Sequence, residues 1–489
     1  MCPTPVAAGR ELAVVDVGRS FSEAEILITG ANGFVGKVLL ALLLDRYPDT
    51  KRVHVLLRPR AGVGAAERFE KEILDSPPLK GSNRELIEDR VQIVEGDISG
   101  DFALGRELDS VGLIIHCAGL VEFFPPVDQA IAANIDASLN VAALAKKLGA
   151  KLVHISTCYV AGKADGLIEE SDPIPGFYPG RQGPEDSSFD AQREVDALRE
   201  SVSRLSGNRD ALTDLGRERA ARWGWVNTYT YTKSLGEQLL ANRDLDMTIV
   251  RPAIVESALE FPFPGWVEGG RTAAPLVLMA MGGLRDWPAR EEISLEIVPV
   301  DLVASAILAA GALLLAGQAA SVYQLASADR NPFEMGPLLD LLDGEAHRRK
   351  QTPGTGARLH SWEAFQQRNR ETRKSLERTE SRLQNFARKG LPGAEWARAR
   401  ATAARSGALQ VNFREQTMEQ YLPFILENRY VFEAGNIRLG HLKLGEEDKR
   451  KLPWAPEAID WPSYWRNNQI PGVEQWVQPE VAREWSFRI

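Results

Sequence analysis

Cysteine is scarce in this sequence: three residues in 489, at Cys2, Cys117 and Cys158. They have no paired spacing, which argues against a disulfide framework or a zinc site and for a reducing, cytoplasmic setting. The six histidines likewise show no ligand spacing, so no metal is expected. Long apolar runs are missing too. The longest, Leu302 to Gly317, falls short of the roughly 18–20 residues that a membrane-spanning helix needs, so a buried helix is expected there. The first twenty residues mix acids and bases without an apolar core, and no secretory leader is expected. A net charge of −9 gives no reason to expect nucleic acid as a partner. What is left is an ordinary soluble composition, 44% hydrophobic and 26% charged, with length for two or three domains.

The most informative stretch runs Ile26-Leu27-Ile28-Thr29-Gly30-Ala31-Asn32-Gly33-Phe34-Val35-Gly36-Lys37. A short apolar strand meets three glycines at three-residue spacing, and an apolar helix follows from Val38 to Leu44. Gly30 suits a sharp strand-to-helix turn, Gly33 a close approach to pyrophosphate, and Gly36 tight helix–strand packing. A phosphate would sit at the helix N-terminus, where N–H groups and the helix dipole favour an anion. The same letters nearly spell a P-loop, but Val38 stands where that motif needs Ser or Thr for Mg²⁺. The G-x-x-G-x-x-G spacing points instead to the short-chain dehydrogenase/reductase form of the dinucleotide fold.

From Ile26 to about Gly162, short apolar runs alternate with helical stretches, the pattern of a doubly wound parallel sheet. The expected strands are Ile26–Ile28, Val53–Leu57, Val91–Val94, Leu113–His116 and Leu152–Ile155. The second is followed by Arg58-Pro59-Arg60, where an NAD-preferring site usually carries a carboxylate. Two arginines there suit a 2′-phosphate and favour NADPH; the alternative is two solvated surface arginines. Asp97 and Ile98 follow the third strand, where Asp97 could accept from the adenine amine. Ala118 and Gly119 follow the fourth, small enough for backbone to pass close to the cofactor. His116 reads as a core histidine. Asn134 and Asn140 read either as a hold for a proton-relay water or as a solvated helix face.

The fifth strand ends in Ser156-Thr157, hydroxyls at the edge where open α/β sheets bind ligands. An insertion over 163–223, first rich in Pro, Gly and Asp and then charged and helical, reads as a lid or substrate-channel element. Then Tyr229 and Lys233 stand four apart on a helix, so that the ammonium can lower the phenol's pKa. Tyr231 lacks such a partner, because Leu235 is four residues on. Met247 to Val255 reads as a sixth strand, with Pro252 turning the chain over the carboxamide. Asp301 opens the long apolar helix, as a helix N-cap or in a functional role.

Beyond about Asn331 the alternation stops. Residues 345–405 hold 15 Lys and Arg against 6 Asp and Glu, a local reversal in an acidic chain. They read either as a solvated helical face or as an electrostatic landing site for coenzyme A or anionic lipid. The tail is rich in aromatics (Phe424, Tyr430, Trp454, Trp461, Tyr464, Trp465, Trp476, Trp485), consistent with a helical domain packed by these rings. The expected organisation is a leader of loop and a short strand over 1–24, a dinucleotide-binding domain over 25–330, and a mostly helical domain over 331–489.

Together these motifs resemble the fatty acyl-coenzyme A reductases, the male sterility branch of the extended short-chain dehydrogenases, and look nearest to bacterial members. The resemblance rests on Thr29 to Leu40, Val53 to Arg58, Ile155 to Val160, Asn227 to Gln238 and Arg251 to Ser257. Pro264-Gly265-Trp266, Val298 to Ala304, Ile459-Asp460-Trp461 and Tyr464 extend it. It implies NADPH-dependent reduction of a long-chain acyl-CoA to the alcohol through an aldehyde. Thr157 would bind the oxyanion in preference to Ser156, Tyr229 would donate the proton, and Lys233 would hold the nicotinamide ribose. The implied cofactor contacts are Thr29, Gly30, Asn32, Gly33, Phe34, Val35 and Gly36, then Arg58, Arg60, Asp97, Ile98, Ala118 and Gly119. Tyr229, Lys233, Pro252 and Val255 complete them. The alternatives are a thioester reductase that stops at the aldehyde or uses carrier-protein substrates, a sugar-nucleotide epimerase or dehydratase, and a non-catalytic dinucleotide-binding protein. At most peripheral membrane contact is expected, and the oligomeric state is not specified.

Overall fold

Each of the five expected strands of the first half is a strand of one parallel sheet. The structure is a computed structural model describing residues 14–481 except 101–107, 184, 185, 187, 206, 271, 352, 353, 355 and 391. Cys2, Trp485 and the first 13 residues of the leader lie outside the described residues. Seven strands form the main sheet: β1 (Glu25–Thr29), β2 (Arg52–Leu57), β3 (Val91–Glu95), β4 (Val111–His116), β5 (Lys151–Ile155), β6 (Met247–Pro252) and β7 (Val322–Leu325). Their order is 3-2-1-4-5-6-7, and every pairing is parallel. The order reverses between β1 and β4, which opens a crevice at the carboxyl ends of those strands. β6 ends at Pro252, as its sequence suggests, and Ile254–Glu256 goes on to pair with Ile297–Pro299. β7 was not anticipated; its four buried residues are too short a run to stand out.

The leader differs from expectation. Val17–Glu23 is a helix, α1, because Asp16 caps it by accepting from Arg19 N at 2.8 Å and because Val17 and Phe21, four apart, are buried on one face. The apolar run near 302–317 is the buried helix Val300–Leu315, which packs against the helix Phe34–Arg46 (α2). Asp301 does not cap its own helix, whose N-cap position is Pro299. Its carboxylate instead accepts from the backbone of Leu259, Glu260 and Phe261 at 2.8–3.0 Å.

The glycine turn is built by contact. Gly30 has φ +73°, and a Cβ there would lie 2.6 Å from Ala118 N. A Cβ on Gly36 would lie 2.2 Å from the Gly30 carbonyl oxygen. At Gly33 the nearest atom would be 3.4 Å away, an ordinary contact. Gly30 and Gly36 are therefore required by the fold itself, whereas Gly33 leaves space on the crevice side.

The rear of the chain is stitched to the sheet through buried carboxylates. Tyr430–Phe432 pairs in parallel with Gly166–Ile168. Glu296 accepts from the backbone of Phe432, Ser327 and Ala328, and Glu170 from that of Gln324 and Asn436. Burial pushes both carboxyls up to about 7, against the pull of these N–H groups. The tail rings also reach forward: Tyr464 donates to the Ser257 carbonyl at 2.7 Å, and Trp476 packs on Phe263. Among the described residues no helix is long and apolar enough to cross a membrane.

Gly36→Ala should lower the urea midpoint sharply or prevent folding, because the new methyl meets the backbone of Gly30 and Ala31. Gly33→Ala should stay within about 1 kcal/mol of the parent while losing affinity for a dinucleotide, measured by fluorescence titration. Equal stability losses in the two variants would contradict this division.

Candidate active site

The glycine turn opens onto a cleft of about 480 Å³ along the carboxyl ends of β1 to β4. Thr29, Gly30, Asn32 and Gly33 line one side, Arg58, Arg60, Asp97 and Ile98 another, and Ala118 and Gly119 the floor toward β4. Gly33 is the N-cap residue of α2, and no side chain caps that helix, so its first N–H groups face the anion position. The residues present therefore fit a dinucleotide. Thr29 lines the cleft, but its hydroxyl is engaged with His116 Nδ1 at 2.7 Å and accepts from Ala118 N at 3.3 Å. Phe34 packs on Trp266 at 5.1 Å between ring centres, and Val35 and Gly36 lie with it in the first turn of α2 rather than along the cleft. Lys37, the lysine of the P-loop-like reading, is paired with Glu268 at 2.5 Å.

Arg58 lies 3.8 Å from Asp97, so these two expected cofactor residues already interact. Sequence reasoning missed Arg68. It lines the same cleft, donates to the Arg58 carbonyl oxygen and forks onto Glu72, which also accepts from Asn32. No motif marks it; it arrives on the helix that follows β2.

Gly119 leads out of this cleft to the reacting groups. A Cβ on it would lie 3.7 Å from Lys233 Nζ and 3.2 Å from Asn134 Oδ1. Asn134 is buried, accepting from Leu120 N at 2.8 Å and donating to the Thr232 hydroxyl at 3.0 Å. It sits on a π-turn, Ile131–Asp136, a helical irregularity frequent at functional sites. Asn140 instead donates to the Ile98 carbonyl at 2.8 Å, holding the loop after β3. His116 is a core histidine, and burial lowers its pKa to about 3.

Thr228–Ala241 is the helix that carries Tyr229 and Lys233, and Asn227 caps it by accepting from Thr230 N at 2.9 Å. The Thr157 hydroxyl lies near enough to the Tyr229 phenol to act on its ionisation. Thr157 also donates to the Pro252 carbonyl at 3.3 Å and accepts from Tyr159 N at 3.3 Å. β5 ends at Ile155, so strand alternation does not choose between Ser156 and Thr157. The short turn Cys158–Ala161 follows, and Thr157 is its cap. Ser156 is buried, and its hydroxyl has no partner among the described residues.

The expected effect of Lys233 on the phenol is not found. Burial pushes Tyr229 up to about 12, opposed by the Thr157 hydroxyl, and Lys233 is not among the groups acting on it. Lys233 Nζ donates to the Ile155 carbonyl at 2.7 Å, and burial lowers its own pKa to about 8. Desolvation acts on both groups, holding the phenol neutral and weakening the charge that was to acidify it. Tyr231 faces away into the insertion, donating to Glu194 at 2.5 Å, and Glu194 pairs with Arg219.

A ring cluster next to Tyr229 was also missed. Tyr229 N donates to the Phe123 carbonyl at 3.3 Å, and the Phe123 ring packs on Tyr421 and Phe424 at 5.9 and 5.7 Å. The tail therefore reaches the backbone of Tyr229 through Phe123. Phe424 was singled out in the sequence as a tail ring, but nothing local ties it to Phe123.

Residues 28–307 match the model of the male sterility protein family. The chain is 30% identical to the alcohol-forming fatty acyl-CoA reductase of Simmondsia chinensis over 353 residues, covering 66% of this chain and 70% of that one. It is 28% identical to fatty acyl-CoA reductase 1 of Arabidopsis thaliana over 485 residues, covering 92% of this chain and 96% of that one. Among solved structures it is similar in fold to the terminal R domain of the myxalamid PKS-NRPS pathway. That match has a TM-score of 0.54 at 18% identity and covers 89% of this chain and 86% of the other.

Thr157→Val should reduce turnover about 10²-fold or more, while Ser156→Ala should change it only mildly. Steady-state kinetics on both variants decide the assignment, and the opposite pattern would transfer the role to Ser156.

Proposed function

The chain belongs to the male sterility family, and from that premise we propose that it reduces long-chain fatty acyl-CoA to the alcohol through an aldehyde, with NADPH as cofactor. The observation that carries the reading is that Thr157 acts on the Tyr229 phenol while Lys233, one helical turn on, lies against Gly119 of the dinucleotide cleft. NADPH, when bound, supplies hydride to the thioester carbonyl carbon. The chain's own residues handle the oxygen. The Thr157 hydroxyl, which donates to the Pro252 carbonyl in this structure, turns to the developing oxyanion. Tyr229, kept protonated at neutral pH by burial, donates its proton to the same oxygen. Collapse of the hemithioacetal breaks the C–S bond, returns the O–H proton to the tyrosine oxygen, and releases the thiol with a proton from solvent. The aldehyde then accepts a second hydride and a second proton at the same donor.

Lys233 carries charge through most of the neutral range, since its lowered value is still about 8. We assign it to the ribose side of the cofactor, and Asn134 to ordering the loop beside it. Arg58 and Arg60, supported by Arg68, favour a 2′-phosphate because no carboxylate ends β2. Pro252 and Val255 are assigned to the carboxamide end, and the insertion over 163–223 to the substrate side.

With palmitoyl-CoA, about two NADPH should be consumed per thiol released; a ratio of one would make the product aldehyde, and none would remove the reading. Tyr229→Phe should cut kcat about 10²-fold or more with KM little changed, and undiminished acyl reduction would overturn the proton-donor assignment.

Replacing both Arg58 and Arg60 by Glu should lower kcat/KM for NADPH about ten-fold or more and leave NADH use nearly unchanged. Equal losses with both cofactors would assign the two arginines to folding rather than to phosphate recognition.

A further inference from the structure

The basic stretch folds into a helical hairpin. Its two arms are Trp362–Arg388 and Ala394–Leu422, which by helical rise are each about 40 Å long. They pack on each other along a stripe of buried alanines, Ala397, Ala401, Ala404 and Ala408, at alternating spacings of four and three. Gly407 brings the arms close, since a Cβ there would lie 3.3 Å from Leu376. At the base, Phe365, Met418, Tyr421 and Leu422 are buried. Of the first arm's other residues, only Ala387 is buried.

The free end has a composition unlike the rest of the surface. Between 382 and 405 stand six basic residues (Arg382, Arg388, Lys389, Arg398, Arg400 and Arg405) against the single acid Glu395. All six are exposed. The net charge of +5 in 24 residues belongs to a chain whose total is −9. The same end presents Trp396, 59% exposed, and Phe386, 38% exposed. The Arg400 guanidinium lies 5.8 Å from the centre of the Trp396 ring. The second arm begins here with Gly393 at its N-cap position and no side-chain cap, which turns the positive end of a 29-residue helix outward.

We propose that the free end of this hairpin docks onto an anionic lipid surface, with Trp396 and Phe386 entering the headgroup boundary and the surrounding basic residues meeting phosphates. An exposed tryptophan beside a guanidinium, at a helix end rich in basic residues, matches a surface that is apolar beneath and negative above. An acidic protein partner would satisfy the charges but needs a broad complementary face, whereas the apolar element here is confined to the tip. The proposal is independent of the reductase reading, because docking is measured without turnover.

The test is co-sedimentation of the full chain with vesicles of phosphatidylcholine alone or with about 30% phosphatidylserine. The full chain should bind the anionic vesicles, lose binding as salt rises from about 0.1 to about 0.5 M, and bind neutral vesicles poorly. The pair Trp396→Ser with Phe386→Ser and the pair Arg388→Glu with Lys389→Glu should each weaken anionic binding about ten-fold or more. Thermal midpoints and kinetics on a short, water-soluble acyl-CoA should stay unchanged, since these side chains are exposed and remote from Tyr229. Absence of binding to anionic vesicles, or equal binding by the parent and both variants, overturns the proposal. Unchanged vesicle binding with a raised KM for the thioester also overturns it and makes the tip a carrier-binding surface.

Discussion

A polar helix buried on nearly every side sets the terms for this molecule. In Thr228–Ala241 all residues but Tyr229 and Ala241 are buried, including Thr230, Thr232, Lys233, Ser234, Glu237 and Gln238. Such a helix is costly unless its polar side chains find partners, because an unpaired buried group costs about 1–3 kcal/mol; in this helix only the Thr228 hydroxyl has none among the described residues. The partners come from all around it. Glu237 takes Arg251 from β6, Lys233 takes the end of β5, and Thr232 takes Asn134. Gln238 donates to the Phe177 carbonyl and accepts from Gly176 N. Gly236 lies against the Asn134 carbonyl, where a Cβ would be 2.4 Å from the oxygen. The phenol is held in place because its helix has nowhere else to go.

The same logic explains why so distant a part of the chain reaches the site. Glu296, Glu170 and Glu256 are carboxylates enclosed by protein and held by N–H donors from segments far apart in sequence. Gln469 donates to Glu256 at 2.5 Å while its own carbonyl oxygen accepts from Ser257 N at 3.0 Å. These bonds fix the tail against the sheet. The Tyr421–Phe424 corner is thereby delivered to Phe123, beside the backbone of Tyr229. Hydrophobic burial alone would hold the tail without specifying its register; the carboxylates are directional and do specify it.

How far the sequence discloses this depends on the range of the interaction involved. Strand positions and the glycine turn are local, and the first five strands match their expected runs to within two residues at each end. The Thr157–Tyr229 meeting is partly legible, since a strand end and a helix in a doubly wound sheet must converge on one crevice. The influence of Lys233 is not legible, because spacing gives proximity on a helix face and says nothing of the Ile155 carbonyl that captures the ammonium. Arg68, Tyr421 and Phe424 were out of reach for a related reason. Their partners lie on other elements, and a single sequence carries no mark of pairings set by tertiary packing. The helix at Val17 was hidden by its brevity, although Asp16 preceding an i, i+4 apolar pair was a readable cap signal.

Raising Tyr229 to about 12 and lowering Lys233 to about 8 both follow from removing water, and that removal works in favour of the proposed chemistry. A weak acid is a poor donor to a neutral carbonyl, but the acceptor that matters is an oxygen gaining a full charge as hydride arrives. Where protein replaces water, that charge is poorly solvated unless a fixed donor meets it, which is the part proposed for the Thr157 and Tyr229 hydroxyls. The proton then moves only when the oxyanion has formed, which protects a thioester held in the site from premature acid chemistry. If Tyr229 is the donor, as proposed, collapse of the hemithioacetal returns its proton, so that the same phenol is ready for the second reduction.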